Sequence, residues 1–238
     1  MKTLQPEHFS SKDIDSISAD PENNYFTQVL RETLEYTPNP KNVCDVGCGN
    51  GLFSAVLKNW INCRLIGVDG SDYALKQAQL KDFDDLIKIQ DFSADNLPFE
   101  DESFDLVINK DVLEHLLHPE HLVFEIFRVT RVGGQALIHV PNHFPLSGRL
   151  KLLFTNTIDP FNYFPDSRRW DFPHIRFFDQ KDFLDLMISV GFKPVVNLCH
   201  HFQSFPKIGF FMSNNLKNKI SKKNPNLFAT GFTYLFSK

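Results

Sequence analysis

One segment constrains this chain more than any other: Val43-Cys44-Asp45-Val46-Gly47-Cys48-Gly49-Asn50-Gly51. A short apolar run carrying Asp45 passes into three glycines at alternate positions, and Leu52 to Trp60 follows as a predicted helix. Glycine lets a backbone turn sharply and lets a ligand approach where a Cβ would otherwise stand. A strand, a glycine loop and the start of a helix make a nucleotide-type binding site at the carboxyl edge of a parallel sheet.

The rest of the chain predicts that sheet. Tyr25 to Tyr36 reads as a helix with Phe26, Val29, Leu30 and Leu34 on its apolar face, stopped by Pro38 and Pro40. Strands at 43–46, 64–69, 86–91, 104–109 and 135–140 then alternate with helices at 52–60, 71–80 and 122–129. Ser71 is placed to cap the second of these helices, and Pro119 to occupy a first helical position. Such alternation means a parallel sheet with helices on both faces, an α/β doubly wound architecture. The pattern changes after Pro141. Residues 142–176 are rich in Phe, Pro, Arg and Asp, with a short helical stretch near 148–154. A helix at 180–190 and strands at 192–199 and 229–236 follow, the two strands reading as an antiparallel hairpin at the sheet edge.

Bulk properties narrow the class. The 238 residues suit one domain with a sizeable core. Residues 1–20 read as a mobile polar arm, and residues 21–238 as a single domain with a pocket-and-lid insertion at about 142–178. The net charge of −4 does not indicate a general nucleic-acid-binding surface, so no nucleic-acid partner is expected. No long apolar run suggests a membrane span, and the N-terminus lacks a signal-peptide core. Cys44, Cys48, Cys63 and Cys199 show neither Cys-x-x-Cys pairing nor zinc-like spacing. Buried free thiols and a cytoplasmic setting are the expectation. Oligomeric state is not legible.

The loop spacing selects the ligand. A dinucleotide fingerprint, G-x-G-x-x-G, would need glycine at position 52, which is Leu52. The loop is instead G-x-G-x-G, with Asp45 two residues ahead of it. A carboxylate there repels a pyrophosphate but attracts an ammonium group and tolerates a sulfonium. S-adenosyl-L-methionine (SAM) carries both. At Asp45-Val46-Gly47-Cys48-Gly49-Asn50-Gly51 the chain resembles the class I SAM-dependent methyltransferases. That resemblance implies a Rossmann-like sheet of seven strands, mostly parallel with one antiparallel edge strand. It implies SAM as cofactor and an acceptor that is a small molecule.

Further residues carry the resemblance in chain order. Asp69 ends the second predicted strand about twenty residues past the loop, the place of a carboxylate that grips both ribose hydroxyls. Gly70 and Ser71 follow and open the next helix. Asp91-Phe92 resembles the family's adenine contact, Asp91 accepting from the exocyclic amine and Phe92 packing on the ring; Asp95 competes for the first role. Phe104 to Asn109 delivers Asn109 and Lys110 to the same edge, where the resemblance sets them beside the methionine part of SAM. Arg128-Val129-Thr130-Arg131-Val132-Gly133-Gly134 resembles the family's turn before strand five. Each motif alone is weak; the ordered set over residues 40–140 is strong.

The acceptor side has one main candidate. Methyl transfer depends largely on positioning and exclusion of water, but a neutral hydroxyl acceptor also needs its proton removed. Asp111-Val112-Leu113-Glu114-His115 lies just past strand four, and His115 is the natural base. No metal is assigned on this reading. An alternative set, Asp111, Glu114, His115 and the later His174, resembles the Glu-x-x-Glu-His metal segment of ubiquinone-biosynthesis O-methyltransferases and small-RNA 2′-O-methyltransferases, with Asp in place of the first Glu. His143 is set at the mouth of the sheet, while His139 lies within strand five. Arg168-Arg169-Trp170 offers two cations and an aromatic face for a phosphate, carboxylate or sugar, or is a solvated loop. Residues 205–223 mix aromatic and lysine residues as a basic amphipathic helix that either closes the pocket or makes peripheral membrane contact. The expected reaction is methyl transfer to a hydroxyl oxygen; nitrogen, carbon, glycan and lipid-linked acceptors stand as alternatives, and NAD-binding or non-catalytic SAM binding behind them.

Overall fold

The computed structural model describes residues 25–155, 174–206, 209 and 211–238. The N-terminal arm and the Arg168-Arg169-Trp170 cluster lie outside the described residues. Helix α1 (Tyr25–Tyr36) leads into β1 (Asn42–Val46), a short helical pair (a 3-10 turn Ser54–Val56 and α2, Leu57–Trp60), β2 (Arg64–Asp69), α3 (Asp72–Ala78) and β3 (Asp85–Lys88). Then come β4 (Phe104–Lys110), a 3-10 turn at Leu113–His115, α4 (Pro119–Val129), β5 (Thr130–Pro141) and α5 (Leu146–Thr155). The chain closes with α6 (Gln180–Ser189), β6 (Lys193–Asn197), a 3-10 turn at Cys199–Phe202, α7 (Asn214–Lys223), α8 (Pro225–Phe228) and β7 (Gly231–Ser237).

Seven strands form one sheet in the order β3-β2-β1-β4-β5-β7-β6. Strands β1 to β5 pair in parallel. Strand β7 runs antiparallel to both β5 and β6, so the late hairpin sits at the sheet edge with its antiparallel strand one place in. The chain winds outward from β1 through β2 and β3, then crosses back to β4 and β5. The crevice at the carboxyl ends of β1 and β4 is therefore a topological switch point, where doubly wound sheets bind ligands.

Alternation along the strands builds two cores. Cys44, Val46, Ile66, Val68 and Val107 face Leu122, Ile126 and Val129 of α4 and Phe183 and Met187 of α6. Val43, Leu65, Leu106, Ile108 and Leu137 face Phe26, Val29 and Leu30 of α1, together with Leu57. All four cysteines are free and buried. Asp105 fixes the far ends of the central strands: its Oδ2 accepts from the N–H groups of Lys41 (2.6 Å) and Asn42 (2.8 Å), and Arg131 Nε reaches Oδ1 at 2.8 Å. Among the described residues no helix is long and apolar enough to cross a membrane.

Several expected boundaries move, each for a local reason. Strand β3 ends at Lys88 rather than Asp91, because Asp91 enters a turn: its Oδ1 accepts from Ser93 N–H at 2.8 Å and its carbonyl accepts from Ala94 and Asp95. The helix after the glycine loop begins only at Ser54, since Asn50 Oδ1 takes the N–H of Leu52 and holds the chain in a turn. Strand β5 starts at Thr130 and runs through Gly133-Gly134 instead of beginning after them. Of the helix expected over 205–223, the described α-helix is Asn214–Lys223, started by a Ser213 side chain that accepts from Leu216 N–H. Its neighbours Lys207, Ile208 and Phe210 lie outside the described residues.

One polar knot joins α4 to the loop after β3. Glu125 is buried and accepts from Leu97 N–H at 2.8 Å, while Arg128 donates to both Glu125 oxygens and to the carbonyls of Leu97 and Phe99. Burial alone would raise the Glu125 carboxyl; these donors outweigh it and hold the group below its ordinary value of 4.5. The stabilisation is therefore complete above that value and is lost as pH falls through the depressed folded one. Arg128→Ala strips the buried carboxylate of its cation and is expected to cost roughly 3 kcal/mol in urea unfolding at neutral pH, with the deficit shrinking in acid. An unchanged urea midpoint would refute the assignment.

Candidate active site

The loop after β1 is tied to β2 through one carbonyl. Val68 O accepts from Gly47 N–H at 2.7 Å and from Cys48 N–H at 3.0 Å. The backbone is left-handed at all three loop glycines, with φ of 81° at Gly47, 55° at Gly49 and 73° at Gly51. Space adds a second constraint at Gly47, where a Cβ would stand 2.2 Å from Cγ2 of Val112. Beside Gly49 a Cβ would meet nothing within 4 Å. The loop is closed on the Val112 side and open at Gly49.

Asp69 completes this half of the site. Its Oδ2 accepts from Gly49 N–H and its Oδ1 from Ser71 N–H, both at 2.8 Å. Each carboxylate oxygen has a second lone pair, so the group is oriented without being saturated. Burial raises the Asp69 carboxyl above its ordinary value, opposed by the N–H groups of Ser71, Gly49 and Gly70. Gly70 is buried, and Ser71 Oγ caps α3 by accepting from Ala74 N–H at 3.2 Å. Asp45 is buried on the face of β1 shared with Val43. Its carboxyl is pushed up to about 7, chiefly by burial and further by the charge of Asp69, with Ser54 and Lys110 opposing.

The other donor-side expectations fall differently. Asp91 and Phe92 are both half-buried past the end of β3; Asp91 shapes its own turn, and Phe92 packs against the core. Asp95 Oδ2 accepts from Asp91 N–H at 2.9 Å, so the two competing carboxylates belong to one turn. Asn109, expected beside the methionine portion of the cofactor, is fully buried and donates from Nδ2 to Val46 O at 2.8 Å. Its side chain braces β4 against the end of β1. Lys110 extends between the rings of Phe26 and Phe53 and pairs with Asp111.

The acceptor-side residues converge. Val112, which packs on Gly47, is followed directly by the 3-10 turn bearing Glu114 and His115. His115 Nε2 lies 3.9 Å from Glu114 Oε1, and the His115 and His174 ring centroids are 4.7 Å apart. His174 Nδ1 meets His143 Nε2 at 2.5 Å, so His143 joins a cluster that sequence reasoning placed only at the mouth of the sheet. The chain closes on itself here: Ile175 and Arg176 both donate their N–H groups to Glu114 O. Glu114 is fully buried and neither carboxylate oxygen has a hydrogen-bond partner among the described residues. Burial, then the charge of Asp111, push its carboxyl well above the usual carboxylate range. Burial and the neighbouring His115 and His143 lower His174 to about 2, which keeps it neutral.

Glu114, His115 and His174 place one ligand atom each within 4.8 Å of one another. Asp111 is not in that group. Its backbone is left-handed (φ 55°), and its carboxylate turns to Lys110 and to His139 Nε2 at 3.3 Å. Desolvation would raise Asp111, but these two neighbours hold it well below the usual range. His139, set aside in the sequence as a strand residue, is thus a polar link: its Nδ1 meets Thr233 Oγ1 at 2.6 Å. The signal for it is Gly231, where a Cβ would stand 2.2 Å from His139 Cε1.

Known proteins are similar to this chain. Residues 44–138 match the methyltransferase domain family. A protein of Mycolicibacterium smegmatis named "Probable S-adenosylmethionine-dependent methyltransferase/" is 31% identical over 128 residues, covering 53% of this chain and 49% of its own length. A ubiquinone biosynthesis O-methyltransferase of Pseudomonas fluorescens is 31% identical over 111 residues, covering 44% and 46%. The chain spans about half the length of the curated relatives it matches. Among solved structures, a SAM-dependent methyltransferase from Archaeoglobus fulgidus superposes with a TM-score of 0.62 at 19% identity, covering 89% of this chain and 92% of the other. The strand order, the oriented Asp69, the open glycine loop and these matches identify residues 44–138 as a methyltransferase domain similar to those of the class I SAM-dependent methyltransferases.

Proposed function

We propose that the chain transfers the methyl group of SAM to a hydroxyl oxygen of a small-molecule acceptor, with His115 as the general base. The observation that carries this reading is the contact of Val112 with Gly47. It makes the turn bearing Glu114 and His115 a direct neighbour of the donor loop, so a base stands where acceptor would meet methyl. In this reading Asp69 accepts from the ribose hydroxyls through its remaining lone pairs, with Gly70 and Ser71 holding the turn behind it. Asp45 faces the ammonium group, and the Asp91-Phe92 turn borders the adenine. Gly47, Gly49 and Gly51 supply the close backbone, and Asn109 keeps the end of β1 in place. A neutral amine acceptor needs no base before attack, so it would leave the buried imidazoles without a task.

A second reading rests on Glu114. A buried carboxyl with neither oxygen hydrogen-bonded is costly, and a divalent cation held by Glu114, His115 and His174 would relieve it. Two imidazoles and one carboxylate fit such an ion. When bound, it would supply Lewis acidity that lowers the pKa of an acceptor hydroxyl. Asp111 would serve by fixing Lys110 and His139 rather than by ligation.

Asp69→Ala is expected to weaken SAM binding at least about tenfold in calorimetry, since it removes a charged acceptor; wild-type affinity in a folded variant would sink the ribose assignment. Asp45 titrates near neutrality in the free protein, and the ammonium group favours its ionised form. SAM affinity should therefore fall as pH drops from 8 to 6, and Asp45→Asn should flatten that dependence. A pH profile unaltered by the substitution would contradict the contact. His115→Ala should lower kcat by about 100-fold or more while the Kd for SAM stays within about twofold. Chelation by EDTA separates the two readings: an unaffected wild-type rate supports the base, and a loss restored by added divalent cation, in the wild type and in Glu32→Gln alike, supports the ion.

A further inference from the structure

We infer that Glu32, His200 and His201 form a binding site for a divalent cation of the zinc class, apart from the acceptor cluster. Three stretches distant in sequence meet there: α1 with Glu32, the 3-10 turn Cys199–Phe202 with both histidines, and α7 with Lys222. The Nε2 atoms of His201 and His200 lie 2.7 and 3.1 Å from the same oxygen, Glu32 Oε2. Consecutive residues on a strand point to opposite faces. These two escape that rule because β6 ends at Asn197 and the chain coils; their ring centroids are 4.1 Å apart.

The donor set suits the ion. Two imidazole nitrogens and one carboxylate oxygen, all within 4.8 Å of one another, match the three-ligand pattern of zinc sites that keep a fourth position for water. His200 Nδ1 is buried, which leaves Nε2 as its coordinating atom. The side chains are 11%, 13% and 21% exposed, enough to admit an ion from solvent and little enough to hold the rings in place. Lys222 Nζ approaches the other oxygen, Glu32 Oε1, at 3.7 Å and is 41% exposed, so it neither occupies the ligand atom nor is fixed against it.

The position gives the ion a structural task. Phe26 stands on the same helix as Glu32, nearly two turns earlier, and borders Phe53, His139 and Lys110 at the donor end of the sheet. An ion bridging α1 to the turn after β6 would clamp the helix that carries this wall.

Titration of the His174→Ala variant of the full chain with Co2+, and displacement by Zn2+, tests the site without the acceptor cluster intact. One equivalent of Co2+ with visible d–d absorption is expected, together with a Tm that rises with Zn2+ concentration. Glu32→Gln and His201→Gln, each in that background, retain polar side chains of similar size and should abolish the absorption and the Tm rise. Circular dichroism and metal-free Tm verify that each variant folds; should one fail, the other carries the test, with His200→Gln as a third. Absence of saturable Co2+ binding in the His174→Ala chain would overturn the inference. So would binding that survives in the folded Glu32→Gln and His201→Gln variants.

Discussion

The carbonyl of Val68 is the point on which the donor half of the site depends. By accepting from both Gly47 and Cys48 it draws the loop after β1 across the end of β2. The next residue, Asp69, is thereby set against Gly49 N–H. The loop then runs through three left-handed glycines, a backbone that side-chain-bearing residues rarely adopt. The contact of Val112 with Gly47 needs glycine as well, since a Cβ there would collide with Val112. Sheet register, loop conformation and the approach of the acceptor segment are thus one mechanical unit.

Buried charge is distributed unevenly across that unit. On the donor side Asp45 and Asp69 are both raised by desolvation, and each is in part supported by groups that leave room for a ligand. On the acceptor side Glu114 is raised further and carries no hydrogen bond, while His174 is held neutral. Between them Lys110, Asp111, His139 and Thr233 form a continuous polar link from β4 through β5 to β7. Such a link ties the late hairpin to the switch point, so the antiparallel edge contributes to the site as well as to the sheet.

Much of this was legible in the sequence. Helix α1 and strand β2 fall on their expected boundaries, because apolar periodicity and proline or glycine stops act locally. The glycine loop and Asp69 could be placed because their spacing is a backbone requirement. What was not legible depends on contacts between distant segments. Asn109 reads in the sequence as a ligand contact from its place at a strand end; that its Nδ2 also braces a carbonyl on the neighbouring strand depends on the pairing of β1 with β4. Asp111 looked like the first member of an acidic motif, but pairing with His139 across β5 draws it away. His143 and His174 meet only because the chain after α5 returns to the 3-10 turn at Glu114, a closure that no local pattern encodes.

In the proposed reaction the Glu114, His115 and His174 cluster also has to satisfy the charge balance of methyl transfer. The donor brings a sulfonium, and a second cation beside it would be repelled in a low-dielectric pocket. Keeping His174 neutral removes one such cation. In the proposed reaction the sulfur loses its positive charge as the methyl leaves, and His115 gains one as it takes the acceptor proton. Positive charge then passes across the pocket without increasing. Glu114, 3.9 Å from His115 Nε2 and without a hydrogen bond to its carboxylate among the described residues, is placed to stabilise that charge only once it has formed. An interaction that strengthens as the reaction proceeds lowers the barrier, whereas an ion pair already formed in the resting site would stabilise the ground state instead.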